Sequence, residues 1–280
     1  MRVTLDEKIT HLRSLLRECE SVLVCYSGGV DSAFVLLVAV QELGERAIAM
    51  TAVSPSLASF EKDAAVDVAK RLGARHELVA SSEIEDPNYV RNHTDRCFYC
   101  KSELYRLSAL KQKEWGIAYS VNGTNMDDLG DFRPGLEAAK NANVRSVLVE
   151  AGFTKQDVRD ASMQLGLGIW DKPASACLSS RIPFGTTVTR ERLYKVGALE
   201  GELRELGFRH LRVRLHEVSG DQSMARIEFG STEIERAFSE RDAIAKAAKR
   251  VGFLYATLDL EGYRMGSHNE AMKRALPVIS

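Results

Sequence analysis

An apolar run, Val22-Leu23-Val24-Cys25-Tyr26, stops at Ser27-Gly28-Gly29-Val30-Asp31-Ser32, and an apolar helical pattern then continues to Leu43. A strand apolar on both faces must be covered on both faces, which is the habit of a central strand in a parallel sheet. Between it and the helix, Gly28 and Gly29 remove the side chains that would block a close approach to backbone N–H groups. Ser27 and Ser32 add hydroxyl donors, and Asp31 adds a carboxylate suited to Mg2+ on a phosphate. The turn lacks a Gly-Lys-Ser/Thr ending, so it is no Walker A loop, and it lacks Gly-x-Gly-x-x-Gly spacing. By itself it also reads as an ordinary strand-turn-helix.

Periodicity extends the pattern. Thr4 and Glu7 have capping-box spacing ahead of Leu5, Ile9, Leu12 and Leu16, so an amphipathic helix opens the chain. Strands are predicted at 21–26, 47–51, 76–79, 117–121 and 146–149, with helices at 31–43 and 60–72 and after the capping box Thr154…Asp157. Gly44 and Gly73 follow two of these helices as left-handed caps. Beyond about residue 188 the pattern is a long helix to Leu206, alternating strands at 210–216 and 223–229, a charged helix at 231–251 and a last strand at 253–260. The expected fold class is α/β, a doubly wound parallel sheet over 1–187, with a smaller C-terminal α+β domain over 188–280. Ligands belong at the carboxyl ends of the parallel strands.

With 45% hydrophobic and 28% charged residues among 280, the chain has a globular composition. A net charge of −1 gives no general attraction for nucleic acid or anionic membrane, so a small-molecule substrate is expected. There is no apolar run of membrane-spanning length and no signal-peptide core at the start, and the cysteine count of five is odd; a cytoplasmic protein is expected.

Gly123-Thr124-Asn125-Met126-Asp127-Asp128, followed by Asp131 and Arg133-Pro134-Gly135, comes directly after a predicted strand. Arg96-Cys97-Phe98-Tyr99-Cys100-Lys101 sets two thiols beside cations, which favours thiolate. An iron–sulfur site, a zinc site, a redox dithiol and two ordinary thiols are all open readings of that pair. Cys177 lies among turn-forming residues, whereas Cys19 and Cys25 fall on a helix end and in a buried strand and read as packing thiols. Arg212 and Arg214 alternate on a strand, so both point to one face and can clamp a phosphate or form a solvated charged face.

The Ser-Gly-Gly-x-Asp-Ser turn resembles the hallmark of the PP-loop ATP pyrophosphatases, and the 123–135 segment resembles their nucleotide-site wall. That resemblance implies an adenine nucleotide alpha hydrolase-like fold, with ATP held by Ser27, Gly28, Gly29, Val30, Asp31, Ser32, Gly123, Thr124, Asn125, Asp128 and Arg133. Together with the segments at 172–185, 211–216, 225–228 and 258–264, the whole chain resembles the LarE family of ATP-dependent sulfur transferases. The resemblance implies adenylation of a pyridinium dicarboxylate mononucleotide and displacement of AMP by sulfur. It points to Arg181, Glu200, Arg212, Arg214 and Arg264 for the mononucleotide, and to a homo-oligomer. Single-cysteine members sacrifice the sulfur of a cysteine that aligns with Ala176 here, one place before Cys177. Three-cysteine members resemble enzymes that carry sulfide on a 4Fe-4S cluster, a role that falls to Cys97, Cys100 and Cys177. A PP-loop tRNA thiolase is the rival enzyme.

Overall fold

The computed structural model describes residues 3–130, 134–173, 175–220 and 222–264. Two compact units form, one from the chain up to Ser54 with Phe60–Tyr89 and Thr94–Ser175, the other from Pro55–Ser59, Val90–His93 and the chain from Ala176 onward. The boundary expected after residue 187 falls inside the second unit.

In the first unit, β1 (Val22–Cys25), β2 (Ala47–Val53), β3 (Arg75–Ala80) and β4 (Tyr119–Val121) make a parallel sheet in the order β3-β2-β1-β4. Around it are α1 (Leu5–Glu18), α2 (Val30–Leu43), α3 (Ser59–Arg71), α4 (Pro87–Val90), α5 (Arg96–Trp115), α6 (Pro134–Asn141), α7 (Val147–Glu150) and α8 (Lys155–Gln164). Every residue of β1 is buried. Val22 and Val24 pack in the larger core with Leu12, Leu16, Phe34 and Val158, while Leu23 meets Ile48, Met50 and Leu107 on the opposite face. Burying one such aliphatic side chain is worth about 1.5–3 kcal/mol, so the two-sided burial fixes β1 at the centre of the unit. Thr4 and Glu7 form the expected capping box. Gly44 and Gly73 have φ of 58° and 67°.

The strand expected at 146–149 is instead the short helix α7. A brief apolar run does not distinguish a strand from a buried helical turn. Here the adjacent residues Val147 and Leu148 are both fully buried, and the sheet contact survives only as an isolated bridge from Arg145 to Val121.

In the second unit, β5 (Leu211–Ser219), β6 (Gln222–Phe229) and β7 (Tyr255–Leu258) form a sheet, antiparallel between β5 and β6 and parallel between β6 and β7. Its core joins Leu193, Val196, Leu199 and Leu203 of α9 (Arg190–Glu205) with Leu211, Val213 and Leu215, and the Phe208 and Phe229 rings lie 4.6 Å apart. The helix expected over 231–251 is two, α10 (Ile234–Ser239) and α11 (Arg241–Arg250). At the break the Ser239 hydroxyl donates back to the Arg236 carbonyl at 2.7 Å, a local alternative to the helical ladder. No helix among the described residues is long and apolar enough to cross a membrane.

Candidate nucleotide site and cysteine segments

The order β3-β2-β1-β4 reverses between β1 and β4, so the segments leaving those strands line the crevice where α/β sheets bind ligands. The first is the glycine turn. Gly28 has φ of +74°, and a Cβ there would lie 2.7 Å from the Ala65 Cβ of α3; only glycine fits. Ser27 and Ser32 close the turn on itself: the Ser27 N–H donates to the Ser32 hydroxyl at 3.2 Å, the two hydroxyls are 3.1 Å apart, and Ser32 Oγ donates to the Gly29 carbonyl. Asp31 sits in the first turn of α2, where the helix N-terminus favours negative charge.

The second segment is packed directly on the first. A Cβ at Gly123 would approach the Ser32 backbone nitrogen to 2.7 Å and the Asp31 carbonyl carbon to 2.9 Å. Asn125, which is buried, donates from Nδ2 to Asp31 Oδ1 at 3.3 Å; its own N–H donates to Asp128 Oδ2 at 3.0 Å. The Thr124 N–H is held by the Asn122 side chain at 3.0 Å. Because the atoms facing Gly123 are backbone, Gly123→Ala should lower the melting stability by about 1–3 kcal/mol and weaken nucleotide binding in parallel. Thermal melting with and without ATP checks this, and an unchanged melt would contradict the close approach. Arg133 lies outside the described residues.

Two lysines to which the sequence assigns no role at the turn adjoin it. Lys155 donates from Nζ to Asp31 Oδ2, and Lys172 donates to the Gly28 carbonyl at 3.1 Å and to Glu61 Oε2 at 2.7 Å. The local signal for Lys155 is its place directly after the helix cap Thr154; Lys172 opens the 172–185 segment that carries part of the family resemblance.

Cys97 and Cys100 stand one turn apart at the start of α5, a helix that the sequence reading did not foresee; Cys97 is exposed and Cys100 half-buried. Cys100 Sγ lies 3.2 Å from Oε2 of the buried Glu83, whose Oε1 accepts from Ser54 at 2.7 Å. Cys177 is exposed and belongs to the second unit. Among the described residues no group of three or more His, Cys, Asp or Glu side chains is gathered to hold a metal ion. Cys19 and Cys25 are buried as expected, and burial pushes both thiols up from their ordinary pKa.

Within the second unit the arginines organise the turn that carries Cys177. Arg181, 1% exposed, donates from Nη1 to the carbonyls of Ala176 at 2.6 Å and Cys177 at 3.1 Å, while its Nε and Nη2 meet the fully buried Glu200 at 2.9 and 3.2 Å. Arg214 makes a two-point contact with the buried Glu228 at 3.1 and 3.0 Å and donates to the Ser180 carbonyl at 3.0 Å. Arg212 and Arg214 do share a face of β5, opposite Leu211, Val213 and Leu215, but the face is covered rather than solvated. Arg212 lies over the Tyr263 ring at 5.0 Å, and burial and then the charge of Arg181 lower its pKa from the ordinary arginine value. Arg264 is paired with Glu261 at 2.7 Å.

The family model for asparagine synthase matches residues 11–110, which include the glycine turn and the Cys97/Cys100 pair. Along nearly its whole length the chain is 37% identical over 274 residues to the pyridinium-3,5-bisthiocarboxylic acid mononucleotide synthase of Lactiplantibacillus plantarum, covering 97% of both chains. The chain belongs to the LarE family. It is also 43% identical over 272 residues to an uncharacterized Synechocystis protein, covering 96% of this chain and all of the relative. A Methanocaldococcus jannaschii protein, likewise uncharacterized, is 26% identical over 261 residues. As a LarE-family PP-loop protein the chain is an ATP-dependent sulfur-transferring enzyme.

Proposed function

We propose that this chain activates a carboxylate of a pyridinium dicarboxylate mononucleotide with ATP and converts it to a thiocarboxylate. The observation that carries the proposal is the similarity to the Lactiplantibacillus plantarum synthase over 97% of both chains, and this chain's own Ser-Gly-Gly-x-Asp-Ser turn is folded as a strand-to-helix junction. The substrate carboxylate oxygen attacks the α-phosphorus, and the α–β bridging bond breaks with its electron pair leaving on pyrophosphate. A sulfur nucleophile then attacks the acyl carbon, and AMP departs with the C–O electron pair. AMP is a far better leaving group than hydroxide, so the activation makes sulfur entry feasible at neutral pH.

Ser27, Gly28, Gly29, Val30 and Ser32 hold the phosphates, with Gly123, Thr124, Asn125, Asp128 and Arg133 beside them, and Asp31 holds Mg2+. Asp31 suits that role as an oxygen ligand at the mouth of the turn. Arg181, Glu200, Arg212, Arg214 and Arg264 serve the mononucleotide. For Arg212 the support is its place on the covered face of β5 beside Arg214, where its planar donor fork suits a phosphate. Arg212→Gln should therefore raise the KM for the mononucleotide about tenfold or more with ATP affinity unchanged, as steady-state kinetics would reveal. Glu200, Arg181 and Arg214 also make internal pairs, and Arg181 and Arg214 hold the turn that carries Cys177.

For the sulfur, Cys97 and Cys100 fit as two ligands of a 4Fe-4S cluster, being thiols on one helical turn, with Cys177 as the third. Such a cluster, when bound, supplies a sulfide for transfer. Intact-mass analysis after anaerobic reaction, with iron and labile sulfide measured for wild type and for Cys97→Ala, Cys100→Ala and Cys177→Ala, tests this assignment. Iron lost from all three variants, with no mass loss in wild type, is expected. Dehydroalanine at Cys177 with Cys97 and Cys100 dispensable would instead establish a sacrificed cysteine. The enzyme acts in the cytoplasm as a homo-oligomer.

A further inference from the structure

The PP-loop carboxylate is already engaged by a cation of the chain itself. Lys155 is the first residue of α8, and its backbone is fixed there: its N–H donates to Asp127 Oδ2 at 2.8 Å, and the preceding Thr154 closes a capping box with Asp157. From that fixed position the side chain extends to Asp31, where Nζ donates to Oδ2 while Asn125 donates to Oδ1. The Lys155 and Asp31 side chains are 34% and 25% exposed. A half-buried pair reached by water contributes modest stability, so a stronger partner for Asp31 can displace the ammonium. The other lysine at the turn differs: Lys172 is joined both to Glu61 of α3 and to the Gly28 carbonyl, so it ties the turn to a helix.

We infer that Lys155 is a positioning residue for MgATP: its ammonium holds the place of the metal on Asp31 until Mg2+ arrives, then turns to the phosphates. The inference rests on the assignment of Asp31 to Mg2+ given above. Its physical basis is charge. An unpaired Asp31 at the mouth of an anion-binding turn would repel ATP, and Lys155 cancels that charge in the empty site. Mg2+ is a stronger partner for a carboxylate oxygen than an ammonium is, so the metal displaces it. The freed ammonium, beside the turn assigned to the phosphates, is then available to the charge that gathers on the departing pyrophosphate.

Competition for Asp31 makes the inference testable, because removal of Lys155 should move two affinities in opposite directions. In the full chain without ATP, Lys155→Gln should bind Mn2+, measured by electron paramagnetic resonance, about fivefold more tightly than wild type. The same variant should bind MgATP about tenfold more weakly by calorimetry, and release pyrophosphate more slowly. Lys155→Arg, which keeps a cation, should restore both affinities towards wild type. Should the glutamine variant melt early, Lys155→Met, of similar length, is read in its place. Unchanged Mn2+ and ATP affinities, or a weakening of both in a variant that melts like wild type, would overturn the inference. Asp31→Asn separates its failure from that of the underlying assignment: if Mn2+ binding survives that change, Asp31 does not hold the metal.

Discussion

Replacing Asp31 with alanine should slow pyrophosphate release by about a thousandfold, roughly 4 kcal/mol of transition-state stabilisation, while the fold persists. The size follows from its place: the carboxylate stands in the first turn of α2 at the end of the glycine turn, and the proposed Mg2+ would link it to the phosphates. The fold should persist because, among the described residues, the Asp31 side chain makes a half-buried ion pair with Lys155 and one long hydrogen bond from Asn125. Neither carries much stability. A malachite-green or coupled pyrophosphate assay, alongside circular dichroism of the variant, measures both halves. Wild-type turnover would remove Asp31 from the site.

The second large effect is on stability. Glu200 is fully buried, and its carboxylate accepts from Arg181 and from the Val213 N–H at 3.1 Å, so Glu200→Ala strands a buried guanidinium and a backbone donor together. Removing one partner of a buried pair costs about 3–5 kcal/mol, a large share of the 5–15 kcal/mol that holds a typical domain together. Replacing both, as Glu200→Leu with Arg181→Met, should recover part of that loss because the Arg181 guanidinium is no longer left buried without its carboxylate. Urea denaturation of the two variants makes the comparison. The double variant should still transfer sulfur poorly, since Arg181 also holds the Ala176 and Cys177 carbonyls.

Much of this organisation is legible in the sequence for identifiable reasons. β1 and the glycine turn are local: a fully apolar run followed by Gly28-Gly29 has few alternatives, and both capping boxes form where Thr4…Glu7 and Thr154…Asp157 predict them. Alternation on β5 correctly sets Arg212 and Arg214 on one face. What covers that face is not local. Glu228 lies opposite Arg212 in the β5–β6 register and pairs with Arg214, which is next along the strand on the same face; no spacing within either strand announces that pairing. Residues 146–149 fail for a related reason, since four apolar residues carry no period and tertiary burial of Val147 and Leu148 decides for helix. Lys155, Lys172 and Glu61 reach the turn from helices or loops distant in sequence, so their contacts with it are not legible in any motif. Helix α5, 20 residues ending on the left-handed Gly116, opens without a capping side-chain bond at Asp95, so no capping box marks its start in the sequence.

The proposed reaction spends ATP to exchange carboxylate oxygen for sulfur. The most direct measurement is anaerobic incubation of the enzyme with MgATP and the pyridinium dicarboxylate mononucleotide, followed by mass spectrometry of the mononucleotide and quantification of AMP and pyrophosphate. One AMP and one pyrophosphate for each oxygen replaced by sulfur is the predicted result. ADP and phosphate as the nucleotide products, or AMP formation that is indifferent to the mononucleotide, would contradict it.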